Sequence, residues 1–171
     1  MAERHSEYAR IEGDDYATPS WVTEALLSVE DMPQGIWECA PGDGVMVRTL
    51  RSNGAQVYAR DQDFLTASLP VGVGSILTNP PYKLADAFVD HALLFNVKVA
   101  MLLPIGWDTA KSRARFFRDC KAFKAKHILT RRIRWANIEQ KSAGPSMNHA
   151  WYVWGPRRVG VPTIGWLPLK G

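Results

Sequence analysis

Short apolar runs alternate with amphipathic stretches along the chain. Runs that are apolar throughout and stop at glycine or proline predict buried strands, whereas apolar positions three or four residues apart predict helices. On this basis we expect helices at 18–29, 45–52, 84–95 and 109–122. We expect strands at 36–40, 56–59, 75–78, 97–103, 126–131 and 150–154, followed by a Pro/Gly-rich tail.

This alternation predicts an α/β fold, because strands that are apolar on both faces form mostly parallel sheets covered by helices on both sides. In such a sheet, ligands bind outside the carboxyl ends of the strands, where the strand order reverses. Three strand ends carry unusual residues, at 40–44, 60–63 and 79–82. We therefore expect the functional site at these three turns.

The composition is that of one globular domain. The chain has 171 residues, and we expect a polar lead-in at 1–15 and a single domain at 16–171. No apolar run approaches the roughly 18 residues of a membrane helix, and the polar N-terminus is unlike a secretory signal. Cys39 and Cys120 cannot build a disulfide framework, so a cytoplasmic setting is expected. The histidines show no zinc-like spacing, so we expect no metal site.

Charge is divided unevenly along the chain. Residues 1–100 carry 7 Lys/Arg against 14 Asp/Glu, a net charge of −7. Residues 101–171 carry 14 Lys/Arg against 3 Asp/Glu, a net charge of +11. The division suggests a cationic ligand in the first part and a polyanion in the last. Salt bridges between the two parts are the alternative.

The first strand end carries glycines beside carboxylates. Gly42 and Gly44 allow the backbone to approach a ligand closely. The flanking Glu38 and Asp43 favour a positively charged group, such as a sulfonium, over a phosphate. Ordinary turn chemistry is an alternative explanation of the same loop.

The second strand end is acidic as well. Asp61 lies 17 positions beyond Gly44, near the distance at which an acid meets ribose hydroxyls in dinucleotide-binding folds. Asp63 and Phe64 follow at once, and they offer a carboxylate that can accept an N–H beside an aromatic face that can stack on adenine. Solvated acids at a strand end are the alternative.

The third strand end is the most informative. Pro80 and Pro81 cannot continue a central strand, and they hold the chain rigidly after Asn79. The side-chain carbonyl of Asn79 and the backbone carbonyl of Pro80 are two acceptors, and Tyr82 adds a flat ring. This set fits a planar group with an exocyclic NH2, whose methylation is helped by acceptors that pull on both N–H bonds.

The order of these motifs resembles that of the amino-methyltransferases that use S-adenosylmethionine and carry an Asn-Pro-Pro-Tyr motif. The likeness covers about residues 14–168 and is closest to small phage and prophage-type adenine-specific DNA methyltransferases. It implies a Rossmann-like class I fold, with an antiparallel C-terminal strand in a mostly parallel twisted sheet. The residues that it implies for binding S-adenosylmethionine are Tyr16, Thr18, Pro19, Glu38, Ala40, Pro41, Gly42, Gly44, Asp61, Asp63, Phe64 and Asn79. The residues that it implies as catalytic are Asn79, Pro80, Pro81 and Tyr82.

The resemblance also implies the reaction, which is methylation of adenine N6 in DNA on an extruded or single-stranded base. Related enzymes use the same motif on guanine N2 or on a protein glutamine. Methylation of RNA bases or of a glutamine, or a non-catalytic cofactor-binding module, are therefore the alternatives. Only 15 residues separate Asp63 from Asn79, so we expect an abbreviated sheet there. Larger adenine methyltransferases carry a target-recognition domain that this length does not accommodate, so we expect relaxed or short sequence specificity.

Basic residues cluster within 111–134, where Asp119 is the only acid. Such clustering favours contacts to nucleic-acid phosphates, with DNA as the expected partner and RNA as the alternative. The polar stretch at 135–149 either grips the target strand or is an idle surface loop. We expect a monomer or a homodimer with no membrane partner. The expected nucleic-acid contacts are Lys111, Arg113, Arg115, Arg118, Arg131, Arg132, Arg134 and Lys141.

Overall fold

The computed structural model describes residues 17–33, 35–135, 147–156 and 160–167. Its strands are β1 (Ile36–Trp37), β2 (Val57–Tyr58), β3 (Ser75–Thr78), β4 (Lys98–Pro104), β5 (Phe123–Leu129), β6 (His149–Trp154) and β7 (Thr163–Leu167). They form one seven-stranded sheet in the order β2-β1-β3-β4-β6-β5-β7. β6 runs antiparallel to its neighbours β4 and β5, and all other neighbouring strands are parallel. The predicted mostly parallel α/β sheet with an antiparallel C-terminal strand is confirmed.

Helices cover both faces of this sheet. α1 (Ser20–Leu27) and α2 (Val45–Ser52) pack on one face, and α3 (Ala85–Leu94) packs on the other. Side chains of adjacent strand residues point to opposite faces. Leu77 therefore joins the core under α1 and α2, while Ile76 joins the core under α3. The aromatic residues of β6, Trp151, Tyr152 and Trp154, are fully buried between these layers, as expected.

The sheet is abbreviated where the short spacing predicted it. Between β2 and β3 the chain forms no strand and only one short 3-10 helix, Phe64–Thr66. β2 therefore lies at the edge of the sheet, directly beside β1. The strand ends at 38–44, 59–63 and 79–82 consequently lie side by side along one edge, which we call the carboxyl edge.

The helix predicted at 109–122 is wrong. This segment forms two 3-10 helices, Trp107–Thr109 and Lys111–Phe116, and then a turn. Trp107 and Phe116 stack on each other in the core with ring centroids 5.6 Å apart. The backbone is extended at Ala110 (φ −71°, ψ 132°) and leaves the helical region again at Phe117 (φ −124°, ψ −80°), so the segment does not continue as one helix.

Two further expectations about the secondary structure are corrected. The tail contains a strand, β7, which pairs in parallel with β5 despite its central Gly165. The strand was not predicted because prolines at 162 and 168 and this glycine are sequence signals of a loop. In addition, the helix predicted at 18–29 ends at Leu27 as α1, and Val29 beyond it is 47% exposed.

Candidate active site

Three segments that are distant in sequence meet at the carboxyl edge. Nδ2 of Asn79, directly after β3, donates a hydrogen bond to Oγ1 of Thr18 at 3.1 Å. Thr78 donates from Oγ1 to Oε1 of Glu38 at 2.5 Å. The same oxygen of Glu38 accepts the N–H of Ala40 at 2.9 Å. These bonds join the N-terminal segment, the Gly loop at 40–44 and the Asn-Pro-Pro-Tyr turn into one site.

Asn79 has one acceptor left over. Its Oδ1 is buried and has no hydrogen-bond partner among the described residues. Its Nδ2 is held by Thr18, a residue that is only 5% exposed, so the amide has a defined orientation. A buried carbonyl oxygen without a donor costs about 1–3 kcal/mol, and native structures keep few of them. The arrangement therefore indicates a ligand that brings an N–H or O–H donor.

The two prolines lead the chain out of the sheet. Pro80 is buried and Pro81 is half-buried, and neither has an N–H to continue the strand ladder. The carbonyl of Pro81 accepts the N–H of Leu84 at 2.9 Å, which closes the short 3-10 helix Tyr82–Leu84. This turn places the half-buried ring of Tyr82 at the carboxyl edge, three residues after Asn79.

Glu38 is a buried carboxyl group at the centre of the site. It is 1% exposed, and burial raises its pKa to about 7, against the opposing hydrogen bonds from Thr78 and Ala40. Near neutral pH, burial therefore works against the charged form of this group. A positive charge bound nearby would favour the carboxylate form.

The Gly loop needs its glycines. Gly42 has φ +50° and Gly44 has φ +78°, both in the left-handed region that glycine adopts without strain. The carbonyl of Pro41 accepts the N–H of Gly44 at 2.8 Å and closes the turn. Oδ1 of Asp43 accepts the N–H of Val45 at 3.1 Å, so this carboxylate holds the start of α2. Before α1, the backbone carbonyl of Pro19 likewise accepts an N–H of the first helical turn.

The second acidic turn divides into exposed and buried parts. Asp61 is exposed, beyond the end of β2. Oδ1 of Asp63 accepts the N–H of Leu65 at 3.0 Å, which caps the 3-10 helix that follows. Phe64 is 1% exposed, with its ring centroid 5.0 Å from that of Trp37. The ring therefore belongs to the core, which corrects the expectation that it offers an open face for stacking on adenine.

His149 is a residue that the sequence interpretation missed. It begins β6 and pairs with Pro104 at the end of β4. Because β6 is antiparallel, its first residue lies at the edge where the parallel strands end. Its ring centroid lies 5.7 Å from that of Tyr82 and 5.4 Å from that of Trp135. The sequence did offer one signal for this position, a polar residue directly before the predicted strand at 150–154.

The basic residues do not form one continuous surface. Arg113, Arg115 and Arg118 form ion pairs with Asp86, Asp90 and Asp119. Asp86 and Asp90 lie on α3, so part of the charge division is balanced within the chain. Lys111 is exposed in the same segment. Salt bridges between the two parts, the alternative left open by the charge division, thus account for Arg113 and Arg115, whereas Arg118 pairs with its own neighbour.

A second basic group follows β5 and lies at the carboxyl edge. Arg131, Arg132 and Arg134 are exposed there. Arg131 lies over the ring of Trp21, 5.3 Å from its centroid, and Arg132 donates to Oδ1 of Asn148 at 3.0 Å. No acidic side chain among the described residues forms an ion pair with Arg131 or Arg134. These exposed side chains lie at the same edge of the sheet as the Asn-Pro-Pro-Tyr turn.

Some expected features lie outside the described residues, namely Tyr16, Lys141, the lead-in at 1–15 and most of the polar stretch at 135–149. Within the described ranges, no three His, Cys, Asp or Glu side chains are grouped to hold a metal ion. No helix in the described part of the chain combines the length and apolar character needed to cross a membrane.

No protein-family model and no curated protein sequence matches the chain, but solved structures do. The crystal structure of the 23S rRNA methyltransferase ErmE aligns with a TM-score of 0.54 and 16% identity, over 86% of this chain and 70% of ErmE. A putative class I S-adenosylmethionine-dependent methyltransferase from Listeria monocytogenes aligns with a TM-score of 0.52 and 7% identity. That alignment covers 89% of this chain and 64% of the other, so the chain spans less than two thirds of that protein. The chain therefore has the Rossmann-like fold of class I methyltransferases.

Proposed function

We propose that this protein is an S-adenosylmethionine-dependent methyltransferase that methylates the exocyclic N6 amino group of adenine in DNA. The observation that carries the proposal is the amide of Asn79. Its nitrogen is held by Thr18, and its buried oxygen, at the end of a central strand, meets no donor within the described ranges. An exocyclic amino group has two N–H bonds and supplies the missing donor.

The residues of the Gly loop and its neighbours fit a cofactor that carries a sulfonium. Gly42 and Gly44 leave the backbone open to close approach, and Glu38 and Asp61 contribute negative charge. S-adenosylmethionine supplies an electrophilic methyl group, whose transfer to nitrogen breaks the carbon–sulfur bond and leaves a neutral thioether. A cationic ligand also favours the charged form of Glu38, which burial alone disfavours.

Asn79 and Pro80 act on the acceptor nitrogen. The lone pair of adenine N6 is delocalised into the ring, so N6 is a poor nucleophile until it becomes pyramidal. Oδ1 of Asn79 and the carbonyl of Pro80 accept the two N–H bonds and stabilise the positive charge that develops on N6. The hydrogen bond from Asn79 to Thr18 and the proline backbone hold these acceptors in place. Tyr82 stacks on the adenine. The methylated nitrogen cation is a strong acid, so its extra proton passes to solvent water.

The arginines at the carboxyl edge support a nucleic-acid substrate. Arg131 and Arg134 are exposed, without an acidic partner in the described ranges, and Arg132 lies between them. They contact phosphates on either side of the target base. Adenine N6 lies inside the stack of a duplex, so the base is extruded or the strand is single.

Adenine in RNA is the second candidate substrate. The likeness to ErmE, which is named a 23S rRNA methyltransferase, favours it. The same contacts of Asn79, Pro80 and Tyr82 serve the base in either nucleic acid. A glutamine side chain fits less well, because it has no flat ring to stack on Tyr82.

Labelled cofactor offered in parallel with DNA, RNA and total protein tests the proposal. Digestion of methylated DNA to nucleosides is expected to give N6-methyladenine, in short or varied sequence contexts. Asn79→Ala should lower transfer about 10²–10³-fold, the effect of removing one preorganised hydrogen-bonding group, and leave cofactor affinity nearly unchanged. Asn53→Ala is the matched control, because Asn53 ends α2 and its amide donates to a backbone carbonyl.

Undiminished transfer by Asn79→Ala would contradict the proposed role of the amide. Label in RNA or protein alone would overturn DNA as the substrate. A recognised sequence of six base pairs read by a monomer would contradict the short specificity that we propose.

A further inference from the structure

His149 is a buried polar side chain that the proposed reaction does not yet use. It is 3% exposed, and neither of its ring nitrogens makes a well-formed hydrogen bond among the described residues, although the backbone of Met147 lies close to the ring. Leaving a buried donor or acceptor unpaired is costly, so native structures usually satisfy such groups with a neighbour, water or ligand. The position of His149 indicates which of these is relevant.

The ring lies in the acceptor region of the site. β4 separates β3, which ends before Asn79, from β6, which begins with His149. The ring of His149 is tilted 34° from that of Tyr82, with centroids 5.7 Å apart. Trp135 meets it edge-on at 5.4 Å. A planar acceptor that stacks on Tyr82 therefore lies next to the imidazole.

The imidazole is neutral near pH 7, because burial lowers its pKa to about 4 and outweighs the opposing effect of the Met147 backbone. A neutral imidazole carries one N–H donor and one bare nitrogen acceptor. Adenine, in turn, carries ring nitrogens that accept hydrogen bonds but no ring N–H that donates. The complementary contact is an N–H of His149 with a ring nitrogen of adenine.

We propose that His149 donates a hydrogen bond to a ring nitrogen of the acceptor base and thereby selects a nucleobase over a side-chain amide. The inference rests on the proposed function. It adds a base-recognition contact to the amino-group contacts of Asn79 and Pro80. It also gives the site a criterion that a glutamine side chain cannot meet, because glutamine has no ring nitrogen.

Oligonucleotides in which the target adenine is replaced by 1-deaza-, 3-deaza- or 7-deazaadenine test the contact, because each analogue lacks one ring acceptor. For the wild type, we expect one analogue to lower kcat/KM at least about five-fold, the effect of a buried donor left unpaired. His149→Phe should be slow on adenine and show no additional loss with that analogue. Because the wild type and His149→Phe are compared on the same analogue, a change in the intrinsic reactivity of the analogue affects both enzymes equally.

Two further variants keep the test decisive. His149→Gln retains an N–H donor and should retain part of the discrimination, so it substitutes for His149→Phe if that variant does not fold. His91→Phe is the matched control, because His91 is half-buried and its Nε2 lies 2.9 Å from the carbonyl oxygen of Ala67. Whatever its rate, His91→Phe should discriminate among the analogues as the wild type does.

Equal wild-type rates on adenine and all three analogues would overturn the inference while leaving the proposed function intact. Discrimination that persists unchanged in His149→Phe would do the same. Absence of transfer to any adenine by the wild type would overturn the proposed function, and the inference with it.

Discussion

A buried charge cluster at the opposite edge of the sheet gives the sharpest prediction about stability. Glu30, which follows α1, is 5% exposed and contacts Lys98 at 2.7 Å, Lys124 at 2.8 Å and His127 at 2.9 Å. Lys98 is itself 9% exposed and also donates to the carbonyl of Asp31. The cluster ties the end of α1 to the beginnings of β4 and β5.

Glu30→Gln removes the only negative charge of this cluster and leaves the Lys98 ammonium buried. Breaking a buried pair by removing one partner costs about 3–5 kcal/mol. For a domain of this size, that corresponds to a fall in Tm of roughly 6–20 °C. Lys124→Met is the matched control: the side chain of Lys124 is 47% exposed, so its loss should cost at most about 1 kcal/mol.

The pH dependence provides a second measurement on the same variant. Burial alone would raise the pKa of Glu30, but hydrogen bonds from His127, Lys124 and Lys98 outweigh it and hold the pKa well below its ordinary value of 4.5. A carboxyl group of this kind contributes stability above pH 4.5, and the contribution is lost as the pH falls. Between pH 7 and pH 3.5, the free energy of unfolding measured with urea should therefore fall more for the wild type than for Glu30→Gln. An equal fall for both proteins would refute the reasoning. So would a destabilisation by Glu30→Gln at pH 7 that is no larger than that by Lys124→Met.

Two further predictions concern the site and the nucleic acid. Thr18→Val removes the acceptor that orients Asn79, and the lost hydrogen bond should lower kcat about 2–13-fold. Single-turnover transfer measures this change, and thermal unfolding should show that the variant remains folded. No change in kcat would contradict the orienting role. Arg134→Ala should reduce the slope of log affinity against log salt by about 1, whereas Arg118→Ala should reduce it less, because Arg118 is paired with Asp119. Equal slopes for the two variants in DNA-binding titrations would contradict this difference.

The elements that the sequence predicted correctly are those whose bounds are set by neighbouring residues. The strand Ser75–Thr78 and the helix Val45–Ser52 agree with the predicted bounds. Both are short segments with a clear apolar pattern, bounded by residues that stop them, Pro80 and Asn53. Because carboxyl ends of parallel strands share one edge, the meeting of the three motifs also followed from the predicted topology.

Other features depended on contacts between distant residues. The basic segment looked unpaired because Asp86 and Asp90 precede it by more than 20 residues, yet α3 places them against Arg113 and Arg115. β7 depends on β5 for its hydrogen bonds, so its own residues carried little signal. Phe64 looked like a surface ring because it follows two acids, and only packing against Trp37 assigns it to the core.

By itself, the sequence determined the α/β alternation, the abbreviated sheet and the chemistry at the strand ends. These follow from side-chain pattern, glycine and proline stereochemistry and residue type, all of which act over a few residues. Only the tertiary structure decided that Thr18 orients Asn79, that Glu38 is buried with a raised pKa, and that His149 lies beside Tyr82. Hydrogen bonding, desolvation and ring contacts between distant residues exist only once the sheet has assembled, because each depends on which neighbours the fold brings near.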